Sequence, residues 1–106
     1  IKEARLERSR LRIARFLRRT ASDQTENLTD YELKTQIKKY EKTARSIGID
    51  QERSSMRFAW LMLCSDGRFL TQPGVREYLC TGPGTPNIRV HLLAEAMTEA
   101  LTKGIS

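Results

Sequence analysis

Long apolar runs are missing from this 106-residue chain. The longest, residues 58–64, falls far short of the roughly 20 residues that cross a bilayer, so no membrane-spanning helix is expected. Histidine occurs once, at His91, and cysteine twice, at Cys64 and Cys80. Three such donors spread along the chain do not make a zinc site. The cysteines sit in the apolar runs Leu61-Met62-Leu63-Cys64 and Tyr78-Leu79-Cys80. These read first as two buried free thiols and second as one disulfide. Aromatic residues make up 7% of the chain and mean hydropathy is -0.54, which fits a chain with one segment that need not be buried.

What is present suits a single domain. A chain of this length hides about two-thirds of the surface its unfolded form exposes, enough for a core without staples. The net charge of +6 is unevenly placed. Residues 1–19 hold eight basic residues and two acidic ones, whereas the remaining 11 basic and 11 acidic residues cancel. The expected organisation is a basic helical arm and loop, residues 1–27, and a charge-balanced helical body, residues 28–106, within one domain.

Residues 2–21 read as a helix, rich in good helix formers and free of glycine and proline. Leu6, Ile13, Phe16, Leu17 and Thr20 fall close to one narrow stripe, with Leu11 off it, so partial burial is expected. Residues 22–27 read as a loop. A strong start signal follows in Leu28-Thr29-Asp30-Tyr31-Glu32-Leu33: Thr29 and Glu32 are placed for a capping box, and Leu28 and Leu33 for a hydrophobic staple. Leu33, Ile37, Tyr40, Ala44 and Ile47 then form one helical face, and Gly48 ends that helix.

Asp50 is expected to cap a third helix reaching about Ser65. It is apolar nearly all round, which places it at the centre of the fold. Asp66-Gly67 closes it, and Phe69 and Leu70 should dip into the core. A short helix is expected from Thr71 or Gln72, with Pro73 in its first turn and Val75, Tyr78 and Leu79 inside. Residues 81–84 form a loop. Thr85 caps the last helix, with Pro86 first in it and Gly104 at its end. Ile88, Leu92, Leu93, Ala96, Ala100 and Leu101 are expected on its buried side. The fold class is all-α: a four-helix compact body with an additional long basic N-terminal helix.

Chemistry is sparse. His91 is the only histidine, with Asn87, Arg89, Val90 and Glu95 as its neighbours in spacing; as a lone candidate it reads as a surface or boundary residue. The carboxylates are scattered among basic residues rather than paired in a cleft. Pro73-Gly74 and Gly82-Pro83-Gly84 lack the lysine and the preceding strand of a phosphate loop. No enzyme activity, cofactor or metal is expected.

Three readings of the basic helix stay open: a solvated face, a track for nucleic-acid phosphates, or a ridge against an acidic, partly apolar groove of a protein partner. Seven of its eight basic residues are arginine, whose planar fork pairs bidentately with carboxylates. Arg8, Arg12, Arg15 and Arg19 recur at spacings of four, three and four and form one ridge. These four, with Phe16, are the candidate partner-binding residues, and Leu11 and Phe16 are candidate apolar anchors for helix-in-groove binding.

From Leu28 onward the chain resembles a known family. The segments carrying the likeness are Leu28-Thr29-Asp30-Tyr31-Glu32-Leu33 and Ala44-Arg45-Ser46-Ile47-Gly48-Ile49. Gly67-Arg68-Phe69, with Pro73 and Leu79, is similar to the family's Gly-x-x-Phe segment, although the spacing here is Gly-x-Phe. Ile88 with Leu92 or Leu93 is similar to its closing helix. These are small helical proteins encoded beside type VI secretion effectors, their spike-tip proteins and their adaptor chaperones. The likeness covers about three-quarters of the chain, and its motifs are mostly structural. The basic helix before Leu28 is not part of it.

The resemblance implies a co-chaperone or adaptor for effector loading. Such a protein would bind an adaptor chaperone or a secreted effector in the bacterial cytoplasm, with no catalytic residues to carry over. A small nucleic-acid-binding protein and an immunity protein that blocks a toxin are the alternatives.

Overall fold

A computed structural model describes residues 2–105 of the chain, with side chains described for residues 4–100. Six α-helices follow one another: α1 (Lys2–Thr20), α2 (Ser22–Thr25), α3 (Asp30–Ile47), α4 (Glu52–Cys64), α5 (Val75–Thr81) and α6 (Pro86–Ile105). A 3₁₀ turn, Phe69–Thr71, joins α4 to α5. There is no strand among the described residues, and the chain is all-α. None of these helices is long and apolar enough to cross a membrane.

The third helix forms where local chemistry demands it. The Thr29 Oγ1 accepts from the Glu32 amide at 3.1 Å, and the Glu32 carboxylate accepts from the Thr29 amide at 2.9 Å. Two amides that the first turn leaves without partners are thereby satisfied. Leu33, Ile37, Tyr40, Ala44 and Ile47 are all buried. Gly48 ends the helix at φ 97°, its amide donating to the Arg45 carbonyl and the next amide, of Ile49, to Ala44. Only glycine takes that conformation without a Cβ penalty. Thr29→Ala removes one half of the box and is expected to cost about 1 kcal/mol. A thermal melt then shifts down by roughly 4–8 °C.

The core surrounds α4, whose Phe58, Ala59, Trp60, Leu61 and Met62 are buried. It packs against α1, α3 and α6, which explains why its apolar residues run nearly all round. The basic helix is not held away from this core. Ile13, Leu17 and Ala21 are buried in the same cluster as α3 and α4.

Several expectations change at the seams between elements. Thr20 is exposed, its hydroxyl donating to the Phe16 carbonyl, and Ala21 takes the buried place. The expected loop after α1 contains a helical turn, α2, anchored by the buried Thr25, whose hydroxyl donates to the Ala21 carbonyl at 2.9 Å. Asp50 does not cap α4. No side chain caps it; instead Asn87, 37 residues from Asp50, holds the approach to the helix, its Oδ1 accepting from the amides of both Asp50 and Gln51 at 3.2 Å and its Nδ2 donating to the Asp50 carboxylate. Pro73 lies before α5 rather than in its first turn, with Gly74 at the cap position in the left-handed region. Both thiols are free, but Cys80 is exposed, because Leu79 beside it takes the inward position on α5.

The last helix departs furthest. Its buried residues are Val90, Ala94 and Arg89, with Leu93 and Met97 partly buried against the core. Ile88, Leu92, Ala96 and Ala100 are exposed. Leu101 lies outside the residues with described side chains, and the helix continues through Gly104. Thr85 does cap it, its Oγ1 accepting from the Ile88 amide at 3.2 Å.

The buried arginine explains the phase. The Arg89 Nε and Nη2 donate to the Leu79 carbonyl at 3.1 and 2.8 Å, and Nη1 donates to the carbonyls of Gly82 and Gly84. One guanidinium thus ties down the carbonyls at the end of α5 and its following loop, where cations are favoured. Gly82 leaves it room: a Cβ there would stand 2.6 Å from the Tyr78 carbonyl oxygen and 2.9 Å from the Arg89 Cδ.

Candidate protein-docking surface

The surplus charge of α1 divides into spent and unspent arginines. Arg10 is half-buried and bridges to Glu41 at 3.0 Å and Glu7 at 3.3 Å. Arg12 makes a bidentate pair with Glu52 at 2.7 and 2.9 Å. Arg18 donates to the carbonyls of Thr25 and Leu28 and to Asp30 at 3.0 Å. Arg5, Arg8, Arg15 and Arg19 are exposed and pair with no carboxylate among the described residues.

Burial of Ile13, Leu17 and Ala21 fixes this division. With that face turned inward, the 100° step of the helix sends residues 8, 15 and 19 to the opposite, solvent side. Arg12 points outward as well but reaches across to α4. The expected ridge therefore keeps Arg8, Arg15 and Arg19, while Arg12 is engaged within the chain. Phe16 is turned toward α4, partly buried against the core and 5.9 Å beneath the Arg57 guanidinium. Of the two expected anchors, Leu11 is the one presented to solvent, at 56% exposure.

Beside the ridge runs a groove between α1 and the start of α3, of about 660 Å³. Leu11, Ala14, Tyr31 and Leu33 supply its apolar surface, and Arg15, Arg18 and Arg19 stand along one rim. Tyr31 is 78% exposed. Its place on α3 was readable: two positions before Leu33, it lies across the helix from the buried face. An aromatic on the polar side of an amphipathic helix is the signal that the start motif obscured.

The Arg12–Glu52 pair makes the basic face pH-sensitive. Hydrogen bonds from Arg12 hold the Glu52 carboxyl below its usual range, opposed by partial burial and assisted by Ser9. A carboxyl with a depressed folded pKa adds stability above its unfolded pKa of about 4.3, and that stability is lost as pH falls through the folded value. Glu52→Gln should therefore melt lower than the parent chain at pH 7. The gap should close as both are titrated from about pH 4.5 downward.

One further polar pair joins α4 to α6. Ser54 Oγ lies 3.2 Å from His91 Nε2 and 3.3 Å from the Asn87 carbonyl oxygen. Ser54 is fully buried, so its oxygen has no open approach for a substrate, and the contact is one between packed helices.

No protein-family description, curated protein or solved structure matches the chain.

Proposed function

We propose that this chain is a protein-binding accessory factor, a co-chaperone or adaptor that helps load a type VI secretion effector. The observation that carries the binding reading is the charge left unspent on α1: Arg8, Arg15 and Arg19 stand exposed with no acid paired to them among the described residues, while Arg10, Arg12 and Arg18 are neutralised within the chain. An unpaired arginine ridge beside exposed Leu11 and Tyr31 suits an acidic, partly apolar protein surface better than a bare phosphate backbone. Apolar groups add little to a phosphate track, and sequence-independent nucleic-acid binding rests on charge. The effector-loading role rests on the resemblance from Leu28 onward. That resemblance implies a bacterial cytoplasmic protein with an adaptor chaperone or a secreted effector as its partner.

Co-expression with an adaptor chaperone and an effector from the genes neighbouring its own, as this reading requires, tests it. Co-elution with either as a defined complex is expected. If both elute separately from the chain, the accessory role fails. Protection of cells from the effector's toxicity without any chaperone complex would instead make it an immunity protein. A salt-sensitive shift of generic duplex DNA, with no protein complex, would make it a nucleic-acid binder.

A further inference from the structure

We infer that the groove between α1 and α3 receives an acidic amphipathic helix of the partner. This inference rests on the protein-binding reading above and names the chemistry of its occupant. Its apolar surface is narrow: Leu11 and Ala14 one turn apart on α1, with Tyr31 facing them from α3. The lining residues run from Glu7 to Arg19 along α1, about 18 Å at 1.5 Å per residue, or some three to four helical turns. An apolar stripe one residue wide, recurring every third or fourth position, fits such a channel.

Charge fixes the character of its flanks. The groove's two acids are already neutralised, Glu7 by Lys34 and Arg10, and Asp30 by Arg18 at 3.0 Å. Arg15 and Arg19 on the rim have no such partner among the described residues. A helix entering with carboxylates beside its apolar stripe meets these two guanidiniums in the bidentate geometry arginine favours. A basic helix meets uncompensated like charge.

The chain itself carries one rival occupant. Ile88, Leu92 and Glu95 are exposed on α6 at spacings of four and three, so they share one face. A second copy could offer that face to the groove. Such a head-to-tail contact does not close and would build open chains.

The test uses labelled helical peptides of about 16 residues, long enough to span the groove. One bears a leucine stripe flanked by glutamates and the other the same stripe flanked by lysines. Fluorescence anisotropy with the whole chain should show the glutamate peptide binding at least about tenfold more tightly, with the difference shrinking as salt is raised. Leu11→Ser with Tyr31→Ala should weaken it by about tenfold or more. Arg15→Glu with Arg19→Glu should abolish or invert the preference. Because all four side chains are exposed, thermal melts of these variants should match the parent.

Equal binding of the two peptides, or none, overturns the inference. Indifference to the Leu11 and Tyr31 substitutions does so as well. Concentration-dependent assembly that is lost on Leu92→Ser assigns the groove to a second copy and also overturns it. Failure of the wider reading looks different: the peptide preference holds, but no complex forms with the neighbouring chaperone or effector. If such a complex forms and ignores the groove substitutions, the groove assignment falls alone.

Discussion

Arg89→Met lowers the unfolding free energy by about 2–4 kcal/mol, although it replaces a charge with an apolar side chain of similar length. The arginine is only 4% exposed and pairs with no carboxylate among the described residues; it is satisfied by the carbonyls of Leu79, Gly82 and Gly84. Methionine fills much of the space but donates nothing, so buried carbonyls at the end of α5 lose their partners. Hydrogen bonds involving a charged group contribute roughly 1.5–3 kcal/mol each, and water can reach the outer loop carbonyls, which keeps the total below the full sum. Arg89→Lys should recover only part of the loss, since one ammonium cannot span all three carbonyls as a planar fork does. Chemical denaturation of the three proteins, with slopes compared to confirm two-state unfolding, measures the difference. An Arg89→Met variant as stable as the parent would mean that the loop between α5 and α6 does not need this tie.

Trp60→Ala is expected to cost about 3–5 kcal/mol, the range for a large aromatic truncated inside a core. Trp60 lies on α4, the helix that α1, α3 and α6 surround, and it is 9% exposed. Truncation therefore leaves a void that several helices would have to close at once, and close packing allows little relaxation. A fall in melting temperature of roughly 15 °C or more is expected. Trp60→Phe, which keeps most of the volume, should lose considerably less. If alanine and phenylalanine cost the same, the loss comes from the indole nitrogen rather than from packing.

The contrast between α3 and α6 shows which parts of this fold can be read from sequence. Everything that defines α3 acts within a few residues: the Thr29–Glu32 box, the spacing of Leu33 to Ile47, and the glycine at 48. All of it is visible in the sequence. In α6 the decisive residue is an arginine, and a hydrophobic pattern turns arginine outward. Its inward position depends on carbonyls of α5 and the following loop, which come together only in the folded chain. Counting Arg89 as polar moved the expected buried face onto Ile88 and Leu92, which are exposed. The entry to α4 has the same origin: Asp50 does not cap the helix, and its backbone is held instead by Asn87, far away in sequence.

The candidate surface was partly legible for a similar reason. Clustered charge and the spacing of Arg8, Arg12, Arg15 and Arg19 point to a ridge without any structure. Which arginines stay available depends on acids 31 and 40 residues away, Glu41 for Arg10 and Glu52 for Arg12. Phe16 belongs both to the narrow stripe and to the candidate contacts in sequence; packing decides for the stripe, with Arg57 of α4 over its ring. Tyr31 shows the converse: its exposure follows from its phase on α3.

The central claim is that Arg15 and Arg19 serve association and not folding. Charge reversal at both positions, followed by a thermal melt and by titration with the glutamate-flanked peptide, tests it most directly. The account predicts an unchanged melt, within the roughly 0.5 kcal/mol usual for surface substitutions, together with at least about a tenfold loss of affinity. A lowered melting temperature, or a complex that forms at the parent's affinity, would contradict it.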